Sequence, residues 1–249
     1  DEFKKNFGGD VVLPGDADYD ETRQIWNAMI DRKPALIARC KSAEDIVQAV
    51  KFGRAQDRLV SIRGGGYNIA GNAVCDDGLM IDLALMKKVQ VDRERRRATV
   101  EPGCILSDFD AVAQTHALAT PLGINSTTGV AGLTLGGGFG WLSRKFGMTI
   151  DNLLSANVVT ADGEQIRASE TENTDLFWGL RGGGGIFGIV TSFEFRLLAA
   201  RPDPPTRSLP STSPAPVPPL LPFPTRRTPE LSRQPFVADV DVSEHGESG

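Results

Sequence analysis

Apolar and polar positions alternate in recognisable periods up to about residue 198, and the periodicity then stops. From Ala35 the order is strand, helix, strand. Ala35-Leu36-Ile37-Ala38-Arg39 is an apolar run of strand length. Ser42-Ala43-Glu44-Asp45 has the form of a capping box, with Ser42 as N-cap and Asp45 at the third helical position. Ile46, Val47, Ala49 and Val50 recur at helical spacing, so one face of residues 43–56 is expected to be buried. Leu59-Val60-Ser61-Ile62-Arg63 is a second strand, parallel to the first across a right-handed crossover. Residues 78–83 form a further strand, and 89–92 with 98–101 a hairpin. A helix is expected from Ser107 to His116, capped by Ser107 with Asp110 three residues on. Asp162-Gly163 turns a hairpin between 157–160 and 165–168. A short helix at 174–180 precedes Ile189–Leu197, where Ile189, Thr191, Phe193, Phe195 and Leu197 share one face of a half-buried strand.

Glycine and proline mark the same division. Of 27 glycines, all but Gly246 and Gly249 precede residue 200, whereas 12 of 16 prolines lie between Pro202 and Pro235. Proline interrupts both helix interiors and central strands, so residues 201–249 are expected to be disordered or loosely polyproline-like. A net charge of −5 argues against a nucleic-acid partner, which needs a concentrated basic surface. The four arginines of Arg93–Arg97 read as a solvated turn. No apolar run is long enough to span a membrane. Three separated cysteines, Cys40, Cys75 and Cys104, and two histidines, His116 and His245, give no metal-ligand spacing; the thiols are expected to be buried, in a reducing, cytoplasmic compartment.

Two glycine segments carry candidate chemistry. Arg63-Gly64-Gly65-Gly66-Tyr67-Asn68 follows a strand, and its amides are free of side chains that would block approach; such a turn can converge several N–H groups on a diphosphate. Thr128 to Trp141 holds six glycines in fourteen residues among apolar neighbours, which suits neither a helix interior nor a strand interior. This backbone is expected to lie flush against a planar ring system, with Trp141 beside it. Gly183, Gly185 and Gly188 match the dinucleotide fingerprint in spacing, but a helix precedes them and a strand follows, the reverse of a Rossmann unit.

These segments, together with Gly78-Leu-Met-Ile-Asp-Leu83, Val100-Glu-Pro-Gly103 and Gly185-Ile-Phe-Gly-Ile-Val190, resemble the FAD domain of berberine-bridge-enzyme-like flavoproteins, in the vanillyl-alcohol-oxidase and p-cresol-methylhydroxylase group. The likeness covers about residues 30–198 and implies an α+β fold of two subdomains in residues 1–200, with FAD between them. By the resemblance, Arg63, Gly64, Gly65, Gly66, Tyr67 and Asn68 cradle the diphosphate. Thr128, Gly129, Gly132, Gly136, Gly137, Gly140 and Trp141 line the ribityl and ring region, and Ile189 and Val190 approach the adenine. Family members take a hydride from a substrate C–H bond onto the flavin, and many pass the electrons to dioxygen.

Two departures shape the expectations. Where the family often has a histidine bonded to the flavin 8α-methyl carbon, this chain has Tyr67, and where some members add a cysteinyl link it has Asn125. Non-covalent FAD is therefore expected. After the strand at 193–197 the family continues into a substrate domain that supplies the catalytic base, and residues 201–249 resemble none of it, so a C-terminally truncated chain is expected and no base is assigned. The alternative from another class is a non-catalytic remnant that binds FAD weakly or not at all and self-associates through its uncovered apolar face.

Overall fold

A computed structural model describes residues 2–199, and the expectation for 201–249 falls outside them. In chain order the first elements are α1 (Glu2–Asn6), β1 (Asp10–Val12), α2 (Tyr19–Arg23), β2 (Leu36–Arg39), α3 (Ala43–Ala55), β3 (Val60–Arg63) and β4 (Leu79–Asp82). They continue with β5 (Val89–Asp92), β6 (Arg97–Val100), α4 (Leu106–Thr115), β7 (Leu118–Ala119), α5 (Val130–Leu135) and α6 (Ser143–Phe146). After a 3₁₀ turn at Thr149–Asn152 come β8 (Leu153–Val159), β9 (Gln165–Ser169), α7 (Thr174–Leu180), β10 (Ile189–Arg196) and β11 (Leu198–Ala199). The fold is α+β, as expected.

The first sheet has the order β1-β2-β4-β3. β2 and β3 run parallel as the crossover requires, with β4 inserted between them and parallel to both. Ser42 caps α3 as its sequence implies: its hydroxyl accepts from the Asp45 amide at 3.2 Å, and the Asp45 carboxylate accepts from the Ser42 amide at 3.0 Å. Ile46 and Ala49 on the buried face of α3 pack on Ala38, Leu79 and Ile81. Ile37 and Met80 face the other side, against Val12, Tyr19 and Val74. All four residues of β4 are buried, because both faces of the sheet are covered.

The second sheet is wholly antiparallel, β5-β6-β10-β8-β9. On β10, Phe193 and Phe195 turn inward onto Phe109 of α4, the Phe109 and Phe195 rings 5.4 Å apart. Glu194 points the other way and accepts from Arg97 at 2.9 Å and Arg167 at 3.0 Å. The alternation holds from Phe193 to Leu197 as an apolar core face and a charged outer face; a bulge between Val190 and Ser192 breaks it earlier, so Val190 and not Ile189 shares the core of Phe193 and Phe195. Val159 and Ile189, paired at one end of this sheet, contribute their side chains to the core of the first, so the two halves share apolar contacts.

Some expectations need correction. The 107–116 helix begins at Leu106 and is not capped by Ser107; Ile105 holds the cap position. The first-turn amides of Leu106 and Ser107 donate instead to the carbonyls of Thr128 and Ser126, both at 2.9 Å, while Asp108 accepts from the Ile105 amide. A neighbouring stretch of backbone replaces the side-chain cap. The glycine segment expected to avoid regular structure contains α5, whose Gly132 costs about 1 kcal/mol in helix propensity. Burial of Val130, Ala131, Thr134 and Leu135 offsets that cost. The strand expected at 157–160 begins four residues earlier, because Leu153–Ala156 find partners on β10.

All three cysteines are buried and free. Burial, then the nearby Asp108 and Glu101, pushes the Cys104 thiol up to about 12. A thiol reagent at neutral pH should leave the folded protein unlabelled and label all three sites after denaturation. The Ser42→Ala variant should lose about 1 kcal/mol in urea unfolding through the broken capping box.

Candidate functional site

Three glycine segments from distant parts of the chain come together around one cavity of about 760 Å³. Its walls are the turn after β3 (Gly64, Gly65, Gly66, Tyr67, Asn68), the α5 region (Thr128, Gly129, Gly132, Gly136) and the start of β10 (Ile189, Val190). Of the residues singled out in the sequence, Arg63, Gly137, Gly140 and Trp141 do not line it. Gly184, Gly185, Ile186 and Gly188 do, together with Pro102 and Leu83. Their signal in the sequence is the glycine run before β10. The helix-before, strand-after context is observed, with α7 ahead of the run and β10 behind it, so the run walls the cavity without forming a Rossmann turn.

The glycines of these segments do different things. Gly65 and Gly129 meet backbone to backbone: a Cβ on Gly65 would lie 2.5 Å from the Gly129 Cα, and one on Gly129 would lie 2.7 Å from the Gly65 Cα. Gly140 packs against its own fold, since a Cβ there would lie only 1.8 Å from the Leu122 carbonyl oxygen. Trp141, by contrast, is 81% exposed. Gly132 and Gly185 stand apart. Among the described glycines only these two have neither a positive φ nor any atom within 4 Å of a Cβ position, and both line the cavity. Nothing in the protein's own packing requires glycine there; a Cβ at either position would point into open space.

No residue lining the cavity carries a charged side chain. Polarity comes from main chain and neutral groups: among the described residues, the five consecutive amides of Gly64 to Asn68 donate to no protein acceptor. Unpaired, closely spaced N–H groups in an apolar-walled recess attract anionic oxygen. Arg63 is turned inward and bonded to Asp82 and to the carbonyls of Thr22 and Gln24. At the cavity wall Tyr67 stacks on Trp26, ring centroids 5.5 Å apart, and its hydroxyl donates to Thr127 at 2.5 Å. The Thr127 hydroxyl in turn donates to the Asn125 side-chain oxygen at 3.0 Å.

Comparison with known proteins bears on this cavity. A family model described as FAD binding domain matches residues 34–169. The (R)-6-hydroxynicotine oxidase of Paenarthrobacter nicotinovorans is 39% identical over 189 residues, which are 76% of this chain and 41% of the relative. A solved 6-hydroxy-D-nicotine oxidase from Arthrobacter nicotinovorans superposes with a TM-score of 0.76 at 38% identity, covering 78% of this chain and 43% of that one. The glucooligosaccharide oxidase of Acremonium strictum, with its 6-S-cysteinyl, 8α-N1-histidyl FAD, superposes at 0.70 with 37% identity over 76% of this chain and 40% of that one. The chain spans about two fifths of the length of the relatives it matches. With more than half of its residues matched by the family model, and the same fold in relatives above 35% identity, the chain belongs to the FAD-binding domain family, of the vanillyl-alcohol-oxidase and berberine-bridge-enzyme-like type.

Proposed function

We propose that the cavity binds FAD without a covalent bond and serves an oxidoreductase that removes a hydride from a substrate C–H bond, with dioxygen as the final acceptor. The observation that carries the reading is the pair Gly132 and Gly185, glycines that the protein's own packing does not explain and whose missing side chains leave room in the cavity. The donor set fits the group as well. A diphosphate suits the unpaired amides of Gly64 to Asn68, and the flat, apolar surfaces of Ile189 and Val190 suit an adenine. Thr128, Gly129, Gly132 and Gly136 would flank the ribityl chain and ring system, while Gly137 and Gly140 shape the backbone behind them.

Bound FAD would supply the hydride acceptor. The residues of this chain hold and orient it: apolar walls at Leu83, Leu133 and Leu135 exclude water, which strengthens the pull of the amide dipoles on an anion. No carboxylate or imidazole lines the cavity, so the proton acceptor for a substrate comes from outside the described lining. Non-covalent binding is supported by Tyr67, which lacks the imidazole nitrogen of a histidyl link and whose hydroxyl is engaged by Thr127, and by Asn125, which has no thiol. The names of two relatives, a hydroxynicotine oxidase and a glucooligosaccharide oxidase, support dioxygen as acceptor.

The purified protein should be yellow, and acid precipitation should release the flavin to the supernatant. Yellow retained in the pellet would show a covalent bond and direct attention to Tyr67. A colourless, oligomeric preparation that stays colourless with added FAD would favour the non-catalytic alternative, in which the exposed Trp141, Trp178 and Ile186 drive self-association. Photoreduced flavin should reoxidise rapidly in air with formation of peroxide; reoxidation by quinones alone would exclude dioxygen. The Gly132→Ala variant should keep or slightly raise the melting temperature of the apoprotein, yet weaken FAD binding about tenfold or more by filling the cavity. Gly65→Ala should instead fail to fold or melt far lower, because its methyl group has no space at the Gly129 backbone.

A further inference from the structure

We infer that Arg63 is a positioning residue: it aims the amides of the Gly64–Asn68 turn into the cavity without touching the ligand. The inference rests on the FAD reading above. Arg63 is the last residue of β3, in register with Asp82 on β4. Its Nε donates to one Asp82 oxygen at 3.0 Å and its Nη2 to the other at 2.7 Å, a two-pronged grip that a lysine cannot reproduce. The Asp82 side chain is fully buried and is completed by the Ala84 amide at 3.0 Å and Arg39 Nε at 3.2 Å. The remaining Arg63 nitrogen, Nη1, donates to the carbonyls of Thr22 and Gln24. Four of its five N–H groups are thereby committed inside the protein, and it does not line the cavity.

The segment that Nη1 holds is the one that fixes the turn. Two residues beyond Gln24, the Trp26 amide donates to the Gly66 carbonyl at 3.1 Å. The Gly66–Tyr67 peptide is trans, as are all the described peptide bonds, so its carbonyl and its N–H point in opposite directions. Drawing the Gly66 carbonyl toward Trp26 therefore turns the Tyr67 N–H away from that segment, and Tyr67 lines the cavity with its amide unpaired. A closed circuit results: Asp82 holds Arg63, Arg63 holds Thr22–Gln24, and that segment holds the peptide whose N–H is offered to the ligand.

The test compares FAD titrations of the full-length wild type, R63K, R63Q, D82N and R63Q/D82N, each at low and high salt. If Arg63 acts by position, R63K and D82N each weaken FAD binding about tenfold or more. The double variant then loses less than the product of the single losses, and the salt dependence matches wild type throughout. Hydrogen exchange of the Trp26 amide in the FAD-free protein should also speed up in R63K, an outcome independent of the cofactor. Should R63Q or D82N fail to fold, R63K still carries the test, since it keeps a cation beside the buried carboxylate. The inference is overturned if R63K binds FAD as wild type does, or if D82N has no effect while R63Q flattens the salt dependence, the mark of direct phosphate contact. If the wild type itself binds no FAD, the failure belongs to the functional reading and not to Arg63.

Discussion

The cavity depends on the place where Gly65, in the turn after β3, rests on Gly129, immediately ahead of α5, with no side chain between them. Gly65 follows the edge strand β3 of the first sheet, and Gly129 forms an isolated bridge with Ile105 at the entrance to α4. The contact therefore ties a chain segment from one half of the fold to a helix entrance in the other. An added methyl on either side would push these backbones apart. The cavity wall opens one helical turn further along, at Gly132, and the turn with the unpaired amides lines the same recess. The two glycines set the distance between the halves, and the remaining walls follow from it.

Behind that contact lies a buried ion pair whose role is orientation. Replacing a buried pair by apolar groups is often neutral in stability, so the role inferred for Arg63 and Asp82 lies in what they aim rather than in what they add to the folding free energy. Asp82 receives donors from β2 and β3 and from its own chain just beyond β4, which fixes one carboxylate as a common origin for the three parallel strands and the turn. The uncharged cavity is the counterpart of this arrangement. The cations near it are spent holding the backbone, and the backbone presents the polarity.

What is legible in the sequence is local. The Ser42 box, the Asp162-Gly163 turn and the alternation of β10 from Phe193 onward each specify structure within a few residues, and each is present. The α4 cap escapes such a reading because its partner is the 126–128 backbone, which no local pattern announces. The helix at 130–135 escapes it because propensity counts the cost of Gly132 but not the burial of Val130 and Thr134. The first element predicted from the sequence starts at Ala35, yet α2, which precedes it, supplies the Thr22 carbonyl that holds Arg63. The glycine segments stand out, but sequence alone does not separate a glycine demanded by neighbouring backbone, such as Gly140, from one beside open space, such as Gly132. For the same reason Arg63 reads as a phosphate ligand: only coordinates show which way a guanidinium is turned.

The position of β10 has a consequence for how the protein is made. It is the middle strand of the second sheet, between β6 and β8, yet it is the last of the five to be synthesised. The partners Arg97 and Arg196 are about a hundred residues apart in the chain, so β6 leaves the ribosome roughly 5–20 s before the strand that pairs with it. During that interval β6 and β8 lack their shared neighbour, and the apolar faces at Val100 and Val158 have no Phe193 or Phe195 to cover them. A nascent chain is most open to misassociation in that window, when chaperone capture matters most. Ile189 and Val190 arrive with the same strand, so the cavity closes only as the sheet does, and a bound cofactor marks a chain that has passed through this late step.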